Sequence, residues 1–207
     1  MRDMGGNSRV TRRDMRREAT KAAVLDAARK VFLSEGFDGA TIKAIADEAG
    51  VSPGTVLNAE PSKAALLVSI LRNEYEAMAE ACEQMEAALS GPAPERLSTL
   101  LHMLLDAHAR HAELFAAAIG HAWLVSDPTY QVAFERMEFA WASVRRTLRS
   151  GIEAGELRAD LDEEAAYSAL NDLLLGALRE TRKDSGADPR EALSMRLSVV
   201  LNGLRAR

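Results

Sequence analysis

TIKAIADEAGVSPGTVLNAEPSKAAL, residues 41–66, is the stretch that decides the fold. Ile42, Ile45, Ala46 and Ala49 recur at helical spacing behind Thr41, whose hydroxyl is suited to accept a free amide of the first turn. Gly50 then ends the helix, because glycine enters the left-handed conformation of a C-terminal turn at no steric cost. Ser52 caps a further helix, and Pro53 occupies its first position, where a missing N–H does no harm. Two short helices joined through Ala49-Gly50-Val51-Ser52, with Ile45, Val51 and Val56 turned inward, form a helix-turn-helix. Pro53, Gly54, Thr55, Leu57 and Asn58 are left pointing outward or toward a groove.

Upstream, Val24, Ala27, Ala28, Val31 and Phe32 place one more amphipathic helix before Gly36, which makes a three-helix unit. Residues 1–30 hold nine Lys/Arg against four Asp/Glu, so this segment is +5 within a chain of net charge −5. A basic segment on an acidic body suits an anionic polymer, although a solvated tail has the same charge. Residues 1–20 are expected to be a flexible basic arm, with Arg12, Arg13, Arg16 and Arg17 following phosphates or entering a minor groove.

Downstream, Ser62 caps a long helix that the GPAP segment at 91–94 breaks. Helical patterns follow over 95–109, 112–124 and 128–154, and Asp162 and Asp188-Pro189 start two more. The expectation is an all-α chain of about nine helices, a helix-turn-helix domain over 21–67 and a helical bundle over 68–207. An aromatic content of 5% agrees with that class. Apolar runs such as LLHMLL, 100–105, fall far short of the ~20 residues that span a bilayer. The N-terminus has no apolar signal segment, so the chain is read as cytoplasmic, and Cys82 as a small buried hydrophobe. Leu193, Leu197, Val200 and Leu204 form a stripe on the last helix that a monomer would leave in water, which points to a homodimer.

VLDAARKVFLSEGFDGATIKAIADEAGVSPGTV, 24–56, and PSKAALL, 61–67, resemble the TetR family of one-component transcriptional regulators. Weaker echoes are GIEAGELRADLDEEAA, 151–166, and LLLGAL, 173–178. The resemblance implies an all-α homodimer with an N-terminal DNA-binding domain, a variable ligand-binding body, and dimerisation through the last two long helices. The chain departs from it at Leu57, Asn58, Ala59 and Glu60. Family members carry an aromatic cluster there and a Phe just before Pro-Ser-Lys; the hydroxyls usually contact phosphate and the Phe packs beneath the recognition helix.

A carboxylate left alone in that apolar place would cost several kcal/mol, so Glu60 is expected to turn to solvent or to pair with Arg29 or Lys63, and to oppose nearby DNA. Asn58 suits adenine N6 and N7, or is simply a solvated helix end; Thr55 suits phosphate or a thymine methyl. Lys63 beside helix-terminal amides makes an anion site, and Thr41 is a cap that doubles as a phosphate contact. Ser52, Pro53 and Gly54 complete the candidate DNA-facing set.

In the body, His102, Met103, Phe115, Ile119, Trp123, Phe139 and Asn171 are the candidate ligand-binding residues. The histidines 102, 108, 111 and 121 lack the paired Cys or clustered carboxylates of a metal site, and no metal or cofactor is expected. No phosphate-binding glycine loop or nucleophile elbow is present, so enzymatic activity, with His111 or His121 as base, is the weakest reading. The leading one is a repressor of a near-palindromic operator in double-stranded DNA, controlled by a small, mainly apolar effector. The alternative is a TetR-like dimer with weakened DNA binding that acts through a protein partner.

Overall fold

The computed structural model describes the backbone over residues 11–125, 128–183 and 186–204, and side chains over 11–121, 139–180 and 186–204. Among the described residues there are nine α-helices: α1 (Arg12–Gly39), α2 (Ile42–Ala49), α3 (Pro53–Ala59), α4 (Lys63–Ala88), α5 (Ala93–Ala109), α6 (Ala112–Val125), α7 (Pro128–Glu153), α8 (Glu163–Lys183) and α9 (Pro189–Leu204). The chain divides into two compact units, one up to Ile70 and one from Leu71 onward, so the division falls within α4. No described helix is long and apolar enough to cross a membrane.

In the first unit, Val24, Ala27, Ala28, Val31 and Phe32 of α1 are buried with Ile45 and Ala46 of α2, Val56 of α3 and Leu66 and Leu67 of α4. Local chemistry sets the helix ends. The Thr41 hydroxyl accepts the Ala44 N–H at 3.1 Å, and the Ser52 hydroxyl accepts that of Thr55 at 3.1 Å. Gly50 closes α2 in the left-handed region at φ 65°, and Gly36, at φ 74°, interrupts α1 one turn before its end.

The start of α1 corrects the flexible arm. The Thr11 hydroxyl accepts the Asp14 N–H at 3.2 Å, and the Asp14 carboxylate accepts the Thr11 N–H at 2.9 Å, a reciprocal cap that satisfies two donors. The bonds from Thr11 hold the Asp14 carboxyl below the ordinary carboxylate range. Arg12, Arg13, Arg16 and Arg17 therefore stand on an ordered, exposed helix, while residues 1–10 lie outside the described residues.

In the second unit, α5 packs against α6, α7, α8 and α9, and Leu97, Leu100, Leu101, Leu104 and Leu105 are fully buried. Leu193 and Leu197 of α9 are also buried, 0% and 2% exposed, where α9 meets α5 and α8 of the same chain. The stripe expected to need a second subunit is therefore largely core; the exposed apolar residues of α9 are Met195 and Val199. A β-carbon at Gly151 of α7 would lie 2.5 Å from Ala93 Cβ, so only glycine permits this close approach of α7 to the start of α5.

Candidate nucleic-acid interface and effector cavity

In the first unit, Thr41, Ser52, Pro53, Gly54 and Asn58 are exposed and Thr55 is half-buried. The Ser52 and Thr55 hydroxyls are hydrogen-bonded to each other at 2.9 Å, so the start of α3 presents two linked hydroxyls beside the bare backbone of Gly54. Leu57 is 46% exposed. A shallow concavity runs between α1 and α3, lined by Arg16, Arg17, Glu18, Thr20 and Lys21 on one side and by Thr55, Asn58 and Ala59 on the other. Two of the four expected arginines are thus beside the outward face of α3.

Lys63 is turned inward. Its Nζ donates to the Ala40 carbonyl at 3.0 Å and to the Asp38 carbonyl at 3.2 Å, and lies 4.7 Å from the centre of the Phe37 ring. It closes the open carbonyls at the end of α1, which is a structural reason for a lysine here and a correction to its reading as an outward phosphate contact. Glu60 ends α3 in extended conformation. Its carboxylate is paired as expected, but with Lys21 of α1, at 2.9 Å, and it also accepts the Ser69 hydroxyl of α4 at 2.6 Å. The polar group replacing an aromatic ring beneath the recognition helix is thus satisfied by two partners that the neighbouring sequence did not name.

In the second unit, a cavity of about 490 Å³ lies between α6 and α8, within the ~300–1,000 Å³ range of small-molecule sites. Phe115 and Ile119 are among its lining residues. Its room comes from small residues, Ala112, Ala116 and Gly120 along α6 and Gly176 on α8. Leu175 and Leu178 add apolar wall, and Asp172 and Arg179 stand on the same stripe of α8.

Several expected ligand residues lie elsewhere. His102 Nε2 is hydrogen-bonded to the Ser194 hydroxyl at 2.8 Å, and its Nδ1 donates to the Ser98 carbonyl at 2.7 Å, which ties α5 to α9. Met103 is half-buried on α5 and does not line the cavity. Phe139 is 64% exposed. Asn171 also stays off the wall, which its neighbour Asp172 joins instead. The side chain of Trp123 lies outside the described residues.

Behind Phe115 is an aromatic cluster. Its ring stands 4.3 Å from that of His108 and 5.1 Å from that of Tyr75, centre to centre. His108 is fully buried, and its Nδ1 donates to the Leu104 carbonyl at 2.6 Å, which leaves Nε2 as a bare acceptor without a partner among the described residues. Burial pushes its pKa down to about 4, against a smaller upward effect of the Leu104 bond, so the ring is neutral near neutral pH. Burial and the carboxylate of Glu86 push the Cys82 thiol up to about 11, which keeps it protonated and unreactive. Among the described residues, no group of three or more His, Cys, Asp and Glu is placed to hold a metal.

A helix-turn-helix unit followed by a separate helical bundle defines a DNA-binding transcriptional regulator. Residues 24–70 match the model of the bacterial regulatory proteins of the tetR family, and that segment carries the family's N-terminal domain. It is 28% identical over 189 residues to the HTH-type transcriptional repressor KstR2 of Rhodococcus jostii, covering 89% of this chain and 90% of that one. Among solved structures it is similar to Thermus thermophilus FadR, a TetR family repressor in complex with lauroyl-CoA, with 28% identity, a TM-score of 0.72, and coverage of 90% and 96% of the two chains. Bacillus subtilis FadR, in complex with stearoyl-CoA, shares the fold at 19% identity and a TM-score of 0.76, over 89% of this chain and 99% of that one.

Proposed function

We propose that this regulator is a homodimeric repressor that binds a near-palindromic operator and releases it when an amphipathic effector, an apolar chain on an anionic head, fills the cavity between α6 and α8. The observation that carries this reading is the cavity itself. Phe115, Ile119, Leu175 and Leu178 suit an apolar chain, and the exposed Arg179 suits a carboxylate or phosphate at its end. The lauroyl-CoA held by Thermus thermophilus FadR supports the same class. On the DNA side, Thr41, Ser52, Thr55 and Asn58 meet the duplex with the arginines of α1, residues 21–67 act as the reading head, and residues 68–207 sense the ligand and dimerise. Exposed Met195 and Val199 provide the apolar contact of α9 with a second copy.

The test has two stages. Selection from a random duplex pool yields the bound sequence, expected to have two half-sites related by a dyad. Lauroyl-CoA is then titrated into the complex beside free coenzyme A. Release by lauroyl-CoA alone supports the reading, and linkage requires that operator DNA weaken lauroyl-CoA by the same factor. Lauroyl-CoA binding with no change in operator affinity removes the control and leaves only a pocket.

A further inference from the structure

We infer that Lys21 is a phosphate-binding residue of the DNA interface and that Glu60 is the residue that positions it. This rests on the DNA-binding function of the first unit and adds a contact to those of the α1 arginines. Local charge makes Glu60 look like a defect: a carboxylate at the end of the recognition helix should repel a duplex. The geometry points the other way.

Lys21 Nζ lies 2.9 Å from Glu60 Oε1, and the Ser69 hydroxyl donates to the same oxygen at 2.6 Å. The carboxylate is thus held from α4 while it holds the ammonium from α1. It is the deeper partner, with its side chain 13% exposed against 32% for Lys21. An ammonium has three N–H donors, and one carboxylate oxygen occupies only one of them. Lys21 also lines the concavity beside Arg17, Thr55 and Asn58, where a sugar-phosphate strand passes if α3 enters a major groove.

Distances decide the sign of the charge effect. A phosphate oxygen in contact with the ammonium sits at ~3 Å, while a carboxylate on another of its tetrahedral N–H donors is ~5 Å from that oxygen, so the pair stays net attractive even though the carboxylate's own share is repulsive, and any gain from Glu60 comes from holding the cation in place. A free lysine on a solvated helix also loses rotamer freedom when it binds, whereas a lysine already clasped has lost much of it on folding. Glu60 therefore fixes the cation where a strand passes, and ties the end of α3 to α1 and α4 as it does so.

The test measures binding of the full chain to a fluorescein-labelled duplex of random sequence, across a salt series, by anisotropy. The variants are Glu60→Gln, Lys21→Met, Lys21→Arg and the double variant Lys21→Met/Glu60→Gln, each checked for native helicity and melting temperature. Glu60→Gln removes a negative charge, yet it is expected to bind several-fold more weakly at low salt. Lys21→Met is expected to weaken binding and to flatten the log–log salt slope by about one per engaged subunit, with Lys21→Arg restoring most of both. The double variant should be no weaker than Lys21→Met. Should Glu60→Gln disturb folding, Ser69→Ala loosens the same carboxylate without changing charge and should give a smaller loss in the same direction. Tighter or unchanged binding by folded Glu60→Gln overturns the inference, as does an unchanged slope for Lys21→Met or failure of Lys21→Arg to restore binding. A native chain that ignores the duplex even at low salt overturns the DNA-binding reading itself, a result distinct from these.

Discussion

Lys63 Nζ donates to the Ala40 carbonyl at 3.0 Å, joining the first turn of α4 to the end of α1 across the whole helix-turn-helix. The same ammonium takes the Asp38 carbonyl and lies over the Phe37 ring. One cation thus closes a helix end that Gly36 has already bent, and the Pro-Ser-Lys segment becomes part of the unit's frame.

Replacing Lys63 by Met should cost the first unit about 1.5–3 kcal/mol, the range for hydrogen bonds to a charged donor. Denaturant unfolding followed at the helical signal measures it. Under conditions where the variant is folded, its salt slope for random duplex should stay near native, because the ammonium points at carbonyls; a slope lowered by about one would restore Lys63 to the phosphate contacts.

The pH dependence of stability should carry a contribution from His108. Its pKa falls from an ordinary 6.5 to about 4 in the folded chain, so between those values the unfolded state binds a proton that the folded state refuses. The contribution is fully present above pH 6.5, is lost as pH falls toward 4, and is at most roughly 3.5 kcal/mol at ~1.4 kcal/mol per unit. His108→Leu removes the titration and the bare Nε2 acceptor together. It is expected to flatten this part of the stability curve and to be more stable than the native chain below pH 5, by thermal unfolding. A curve that keeps its native slope over pH 4–6.5 in the variant assigns the effect elsewhere.

Much of the first unit was legible because its helix ends are decided locally: Thr41, Gly50 and Ser52 act within one turn of themselves. Thr11 and Asp14 carry the same kind of signature, yet the density of arginine around them suggested an unstructured arm. Glu60 was legible as a problem but not in its solution, since Lys21 and Ser69 come from two other helices and only the assembled unit brings them to one oxygen. The cavity was half legible for a related reason. Aromatic residues drew attention to a pocket, whereas the room is made by Ala112, Ala116, Gly120 and Gly176, whose contribution is the side chain they lack.

The oligomer turns on a distinction that periodicity does not contain: an apolar stripe shows that a face is buried, not which chain covers it. Leu193 and Leu197 face α5 and α8, and the exposed apolar pair is Met195 and Val199, 62% and 74% exposed and one turn apart. Sedimentation should show a native dimer at micromolar concentration and a folded monomer for Met195→Glu/Val199→Glu. Leu193→Glu should unfold the second unit instead, because it places a charge in the core. A native monomer, or a double variant that remains a dimer, removes α9 as the contact.

Gly120 separates stability from ligand control. It lines the cavity from within α6, and a β-carbon there would meet no atom of the described residues within 4 Å. Gly120→Ala should therefore stabilise the second unit by up to about 1 kcal/mol through helix propensity alone. Gly120→Leu adds a branched side chain to a space of about 490 Å³ shared with Phe115 and Ile119, and should compete with an acyl chain for it. The expected result is operator binding at native strength with lauroyl-CoA no longer able to release it, measured by anisotropy on the selected operator. If Gly120→Leu releases as readily as the native chain, the effector sits elsewhere in the bundle; if it loses operator binding with no ligand added, filling the cavity is itself the signal.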